Sequence, residues 1–404
     1  MILFLPFVLT AVSAAPSSNR HISAILPLTS VGYGFSYDIA INFASQPGKT
    51  FQLTVDTSGA DLWVRDSDWQ CQETSVNGTA SEVERADCPS GNTTFDYPDA
   101  GDHYGVGDVY GTVGLDDISF PGCAEGHKTL TFSKQEMGVA NLSGPVFDSL
   151  VVGILGLGYS AISSIQPNSF SWEQALAGNP SLLEQRVAYP TVFQRLIGQG
   201  MEPYISLALE RTPFDSADGF GGYLALGTLP LTPHGPFTST PVEPTANLAP
   251  ALTNNTSSIT EWTIRVEGLF WTACNGTTST SSTNFQAVVD SGQNLNLFPA
   301  EQALAINAAF RPPAVLDEAA GVYVLPCNAT PPALAVKISD TSFRIHRDDM
   351  IARDAAGTCF STIVPGASDA QEGISLNFLS DAFLKNVVAV FDMGRDEMRF
   401  AARL

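Results

Sequence analysis

The chain is poor in basic residues. It contains 19 Lys and Arg against 41 Asp and Glu in 404 residues, which gives a formal net charge of -22. A surface of this sign repels nucleic acids and anionic membranes, and no Lys/Arg-rich stretch relieves it. We therefore expect neither a nucleic acid nor a membrane as a partner.

Signatures of several enzyme classes are also missing. The histidines form no His-Glu-x-x-His pair, and no Gly-x-Ser-x-Gly nucleophile elbow occurs. The six cysteines lack the paired short spacings of a zinc site. After residue 14, no apolar run reaches the roughly 20 residues that a membrane-spanning helix needs. We expect no metal, no cofactor and no membrane anchor.

The N-terminus predicts secretion. Residues 1–14 are an apolar run that ends in Val12-Ser13-Ala14, with small residues at the positions that determine cleavage, as in a signal peptide. Residues 15–36 form a short segment before the first expected strand. Six cysteines are typical of disulfides in an oxidising compartment. Glycosylation is expected at Asn-x-Ser/Thr sequons, which begin at Asn77, Asn92, Asn141, Asn254, Asn255, Asn275 and Asn328.

The apolar pattern predicts a mostly β protein. Alternating runs bounded by Gly, Pro, Asn and Ser recur along the chain, and Phe51–Val55 is one example. Helical periodicity is confined to Val192–Ile197, Ala303–Phe310 and Asp381–Val387. The Pro-, Thr- and Ser-rich stretch Thr228–Thr260 is expected to form loops. With 44% hydrophobic and 15% charged residues, the chain is long enough for two packed lobes.

Two short segments carry the candidate chemistry. Val55-Asp56-Thr57-Ser58 and Val289-Asp290-Ser291-Gly292 each end a β-like run on an aspartate followed by a small hydroxyl residue. Such sequences turn sharply and direct backbone N–H groups at the carboxylate. Two loops of this kind that meet would let two carboxylates share one proton, as water-mediated peptide hydrolysis requires. Either segment taken alone is better explained as an Asx-turn that ends a strand.

These segments resemble the active-site signatures of pepsin-type aspartic proteases, and the resemblance runs from about Tyr37 to Ala401. The first signature is met at Asp56, Thr57 and Asp61-Leu62-Trp63-Val64. Tyr104-Gly105-Val106-Gly107, followed by Gly111–Ile118, resembles the flap hairpin. Gly153–Tyr159 and Phe378–Asp381 are similar to the segments that pass behind the two aspartate loops, with Ser380 in place of the usual glycine.

The resemblance implies a bilobal pepsin-like fold, mostly β, with a cleft between an N-terminal lobe at 37–207 and a C-terminal lobe at 208–404. It implies a monomer that acts on polypeptides, with Asp290 as the base and Asp56 as the acid. Substrate contacts are expected from Tyr104, Gly105, Val106, Ser58, Gly292 and Gln293. Supporting roles are expected for Thr57, Ser291 and Trp63, which is placed to hydrogen-bond Tyr104.

The cysteine pairing follows from the same resemblance in part. Cys327 with Cys359 matches the bridge of the C-terminal lobe. Cys71 with Cys88 is a plausible second pair, whereas Cys123 and Cys274 can be free or paired.

Three residues depart from the family pattern. Ser58 replaces a glycine, and Gly59 and Gln293 replace residues whose hydroxyls donate to the carboxylates. The main hypothesis is a secreted aspartic endopeptidase. The alternative is a catalytically impaired relative that binds peptides or protein partners in the cleft. Because Val106 offers no carboxylate under the flap, apolar substrate side chains are expected there.

Overall fold

A computed structural model describes most of the chain. The described residues are 22–71, 73–74, 80–81, 103–106, 109–121, 130–143, 152–165, 187–246, 248, 258–318, 320–369 and 374–404. The predicted signal peptide lies outside the described residues, as do Cys88, Cys123 and the sequons at Asn77, Asn92, Asn254 and Asn255. The sequons at Asn141, Asn275 and Asn328 are exposed.

Strands make up most of the regular structure. In the N-terminal half they are β1 Ala24–Val31, β2 Ser36–Phe43, β3 Phe51–Asp56, β4 Leu62–Cys71, β5 Glu73–Thr74, β6 Ala80–Ser81, β7 His103–Val106, β8 Val109–Phe120, β9 Leu130–Ser143, β10 Gly153–Gly156, β11 Tyr204–Leu209 and β12 Gly219–Leu226.

In the C-terminal half the strands are β13 Thr238–Pro241, β14 Thr263–Val266, β15 Gly268–Thr272, β16 Thr278–Ser281, β17 Phe285–Val289, β18 Asn296–Phe298, β19 Val315–Asp317, β20 Val322–Val324, β21 Ala333–Ile338, β22 Thr341–Ile345, β23 Ile351–Arg353, β24 Cys359–Ser361, β25 Ile363–Pro365, β26 Ala367–Asp369, β27 Ile374–Leu376, β28 Phe378–Leu379, β29 Val387–Asp392 and β30 Glu397–Ala402.

The helices are short. They are α1 Val192–Gly198, α2 Ala300–Ala308 and α3 Asp381–Leu384, with 3-10 turns at Ser160–Ile162 and Arg347–Met350. Each α-helix overlaps a segment in which the sequence predicted helical periodicity. A Thr191–Gln194 capping box explains the start of α1, because each residue's side chain bonds the other's backbone N–H. No described helix has the length and apolar character needed to cross a membrane.

One large sheet runs through the molecule. Its strand order is β13-β30-β29-β11-β12-β1-β2-β3-β10-β4-β9-β8-β7. Strand β13 lies in the stretch predicted to be only loops, so that prediction was wrong for Thr238–Pro241, which pairs with Phe400–Glu397 of β30. The pairing partner is distant in sequence, and the short, polar strand has no alternating apolar pattern of its own.

Smaller sheets build the C-terminal half. A five-stranded sheet with the order β14-β17-β28-β18-β25 carries the second aspartate, and β15, β16, β21 and β22 form a separate four-stranded sheet. The buried indole of Trp262 packs beside Tyr159, Phe193 and Phe391, with ring centroids 4.7, 6.3 and 5.3 Å away. Its Nε1 donates to the Leu157 carbonyl at 3.2 Å. This packing joins the second half of the chain to the segment behind the first aspartate loop.

Candidate active site

Matched strands hold the two aspartate loops. Asp56 is the last residue of β3, which pairs in parallel with β10, and Gly156 lies opposite it. Asp290 directly follows β17, which pairs in parallel with β28, and its N–H donates to Leu379 at 3.0 Å. Both loops therefore leave the end of a strand that a parallel neighbour supports.

The hydroxyl residue after each aspartate ties the loops together. Thr57 Oγ1 donates to the Val289 carbonyl at 2.9 Å, and Ser291 Oγ donates to the Val55 carbonyl at 2.7 Å. Each hydroxyl oxygen also accepts the other residue's N–H, at 3.0 and 3.2 Å. Thr57 and Ser291 are fully buried. These four hydrogen bonds satisfy buried polar groups and fix the relative position of the two loops.

Both carboxyl groups lie next to Gly292. A Cβ atom added to this glycine would be 2.7 Å from Asp56 Cγ and 3.1 Å from Asp290 Oδ1. Atoms of both carboxyl groups therefore come within contact distance of one point. Two carboxylates this close are disfavoured as a pair of full charges, so they can share one proton.

Asp56 is surrounded by three hydrogen-bond donors from its own loop. The Ser58 N–H, the Ser58 hydroxyl and the Gly59 N–H reach its Oδ1 atom at 2.8, 2.9 and 2.8 Å. Ser58 is not among the non-glycine residues with positive φ. It therefore takes the place of the family's glycine without left-handed backbone strain, and its hydroxyl provides a donor to the carboxylate.

Asp290 has a different set of donors. The Gly292 N–H donates to its Oδ1 at 2.7 Å, and the Gln293 side-chain amide donates to its Oδ2 at 2.7 Å. Burial raises the pKa of Asp290, and the negative charge of Asp56 raises it further. Hydrogen bonds from Gln293, Gly292 and the Ser58 hydroxyl act in the opposite direction.

Gly59 has no room for a side chain in this arrangement. An added Cβ would lie 2.6 Å from Asp56 Oδ2, closer than side-chain contacts allow. Gly59 replaces a residue whose hydroxyl donates to the carboxylates in the family pattern. A serine at this position would first have to displace the Asp56 carboxylate to which its hydroxyl would donate.

The expected flap is a hairpin. Strands β7 and β8 pair with Tyr104 opposite Gly111, Gly105 opposite Tyr110 and Val106 opposite Val109. The side chains of Tyr104 and Val106 lie outside the described part of the structure, so their contacts with substrate stay predictions. Trp63, in β4, is buried. Its predicted hydrogen bond to Tyr104 involves the same undescribed side chain.

The second half of the molecule contains the expected disulfide. Cys327 and Cys359 are bonded across 32 positions of sequence, with Cα atoms 5.1 Å apart. Cys274 is a free, exposed thiol. The pairing of Cys71, Cys88 and Cys123 lies outside the described side chains.

A third carboxylate near the pair was missed by the sequence analysis. Glu261 directly precedes Trp262 and β14, and its Oε2 is buried without a hydrogen-bond partner among the described residues. Burial raises the pKa of Glu261 well above its usual range, and the charges of Asp56 and Asp290 add to that effect. The available signal was a lone acidic residue in an otherwise apolar and β-branched run.

Solved structures and known proteins agree with this architecture. An aspartic proteinase from Irpex lacteus matches with a TM-score of 0.65 at 21% identity, covering 95% of this chain and 98% of the other. The expected mostly β, bilobal pepsin-like fold is therefore confirmed.

Relatives with known names occur in fungi. A probable aspartic-type endopeptidase of Aspergillus fumigatus is 30% identical over 408 residues, which cover 96% of this chain and 84% of the relative. Rhizopuspepsin of Rhizopus chinensis is 23% identical, with coverage of 93% and 80%. The family model for eukaryotic aspartyl proteases matches residues 36–202 and 239–403. The resemblance seen in the motifs is confirmed, and the chain belongs to the eukaryotic aspartyl protease family.

Proposed function

We propose that this protein is an aspartic-type endopeptidase that hydrolyses peptide bonds in acid through Asp56, Asp290 and a water molecule. The observation that carries this proposal is the convergence of both carboxyl groups on Gly292. The family to which the chain belongs, and the hydroxyl bridges of Thr57 and Ser291, support the same reading.

The proposed reaction needs one proton on the pair. The ionised carboxylate takes a proton from the water, and the resulting hydroxide attacks the carbonyl carbon of the substrate. The protonated carboxyl donates to the carbonyl oxygen, which gives a neutral tetrahedral intermediate. Transfer of a proton to the leaving nitrogen then allows the C–N bond to break. The cycle conserves protons and consumes one water per bond.

The environment of the pair favours one location for the shared proton. Asp56 Oδ1 accepts three hydrogen bonds from its own loop. Burial and the charge of Asp56 raise the pKa of Asp290. We therefore assign the proton of the free enzyme to Asp290 and the initial base role to Asp56. The family resemblance implied the reverse order, and the two roles exchange during each turnover in either scheme.

The remaining assignments follow from the proposed reaction. An extended polypeptide would lie beneath the hairpin that carries Tyr104, Gly105 and Val106, with Ser58, Gly292 and Gln293 beside the reacting bond. Secretion, glycosylation and a monomeric state belong to the same proposal. So does the division into lobes at 37–207 and 208–404.

The test is cleavage of a denatured protein and of peptide substrates in acid, with a chelator present. Wild type should cleave, whereas Asp56→Asn and Asp290→Asn should lose at least about 1000-fold in kcat, since neither can exchange the shared proton. Asp215→Asn, which changes an exposed aspartate, is the matched control. Equal cleavage by wild type and both pair variants would reject the proposed chemistry.

The alternative is a relative that binds peptides without cleaving them. The loss of hydroxyl donors at Gly59 and Gln293 suggested this alternative. The Ser58 hydroxyl and the Gln293 amide supply donors to the two carboxylates, which weakens that motivation. Saturable binding of a transition-state-mimicking peptide, without cleavage of any substrate by the wild type, would favour the alternative.

A further inference from the structure

Glu261 and Asp290 lie just beyond the ends of two paired strands, β14 and β17. Thr263 of β14 lies opposite Val288 of β17, and the Val289 N–H donates to the Trp262 carbonyl at 3.0 Å. One further step in the same register places Glu261 opposite Asp290. Residues directly opposite in an antiparallel pair have Cβ atoms about 4.5–5.5 Å apart and point to the same face.

The burial pattern agrees with this placement. Trp262 and Val289, one position back in the register, are both fully buried on the core side. Alternation along a strand turns Glu261 to the opposite side, where Asp290 faces the cleft. Glu261 is half-buried, so the residue retains some access from solvent.

One carboxylate oxygen of Glu261 lacks a hydrogen-bond donor among the described residues. Its Oε2 atom is buried and accepts no hydrogen bond from the described residues. The titratable groups that act on it are Asp56 and Asp290, and both are acidic. A buried acceptor without a donor costs free energy, so a bound group that donates to it would recover that cost.

The ligand that fits this chemistry is a cation with N–H donors. A Lys or Arg side chain that reaches the part of Glu261 open to solvent would donate to its carboxylate and would also be attracted by the charge on the aspartate pair. The formal net charge of -22 also favours the approach of peptides that carry Lys or Arg.

We infer that Glu261 is a specificity-determining residue that binds a Lys or Arg side chain of the substrate close to the scissile bond. The inference rests on the proposed endopeptidase function. It concerns a position next to Asp290 and is separate from the apolar preference expected under Val106.

This recognition depends on pH in a defined direction. At low pH Glu261 is neutral, because burial and the neighbouring aspartates raise its pKa. As the pH rises it ionises, and its attraction for a cation grows. The preference for Arg over Leu at the recognised position should therefore increase with pH.

The experiment uses peptides that carry Arg or Leu in turn at each of the three positions on either side of the cut. Titration of the aspartate pair affects the Arg and Leu peptides equally. It therefore cancels in the ratio of their kcat/KM values. In wild type this ratio should rise with pH at one position. In Glu261→Gln it should be flat and lower by about 10-fold or more, because a charge-assisted hydrogen bond is lost. Glu301→Gln, at an exposed glutamate of α2, is the matched control.

A binding measurement separates this inference from the proposed function. Dissociation constants of hydroxyethylene peptides with Arg or Leu at the same positions are measured for wild type and Glu261→Gln. If no peptide is cleaved but the Arg preference depends on Glu261, the proposed function fails and the specificity inference survives. An equal effect of Glu261→Gln on Arg and Leu peptides at every position, in both assays, would overturn the inference.

Discussion

The Ser58 hydroxyl provides the sharpest test of how the aspartate pair is tuned. It donates to Asp56 Oδ1 at 2.9 Å, and its hydrogen bond also lowers the pKa of Asp290. A donor to a carboxylate stabilises the ionised form. Ser58→Ala should therefore raise the pH at which the pair gains its second, inhibitory proton.

The magnitude follows from the number of donors that remain. A hydrogen bond to a charged group contributes about 1.5–3 kcal/mol, and one pKa unit corresponds to about 1.36 kcal/mol. Because Asp56 is partly exposed and keeps two backbone donors, we expect roughly half of the full effect. The acidic limb of log(kcat/KM) against pH should move upward by about 0.5–1 unit.

The assay is a pH profile of kcat/KM, which reports the free enzyme. Ser58→Thr retains the hydroxyl and is the matched control, so its acidic limb should stay with that of wild type. An acidic limb that is unchanged or lower in Ser58→Ala would refute the hydrogen-bond reasoning. Gly59→Ser is unsuitable for this purpose, since its Cβ would lie 2.6 Å from Asp56 Oδ2.

Two further predictions concern packing and covalent structure. Gly292→Ala should lower kcat by about 100-fold or more, because a Cβ 2.7 Å from Asp56 Cγ must shift a reacting carboxylate. The control is Gly198→Ala, which should keep full activity because its added Cβ would have no atom within 4 Å. Full activity of both variants would contradict the geometry. Replacing Cys327 and Cys359 by serine should lower the free energy of unfolding by about 3–4 kcal/mol for a bridge across 32 positions, measured by urea denaturation, whereas Cys274→Ser should leave it unchanged. An unfolding midpoint shared by wild type and the double serine variant would argue against the entropic account.

Much of the fold could be predicted from local sequence. Alternating apolar runs indicated the strands, and the helical periodicity near Val192, Ala303 and Asp381 coincided with the short helices. These signals are local, because the period of burial along one element is determined by its own backbone geometry. Strand β13 was missed since its pairing with β30 depends on residues far away in sequence.

The features of the candidate site also divide into those that local sequence predicts and those that depend on tertiary structure. The sequence alone determined which aspartates and hydroxyl residues could form the pair, because each motif is contained within a few adjacent positions. Only the tertiary structure decided that the Ser58 hydroxyl reaches Asp56, and that Gly59 and Gly292 have no space for a methyl group. It alone also placed Glu261 next to Asp290, since strand register brings together residues that share no local pattern. Local sequence determines backbone preference, whereas distances between side chains on different strands depend on how the whole chain packs.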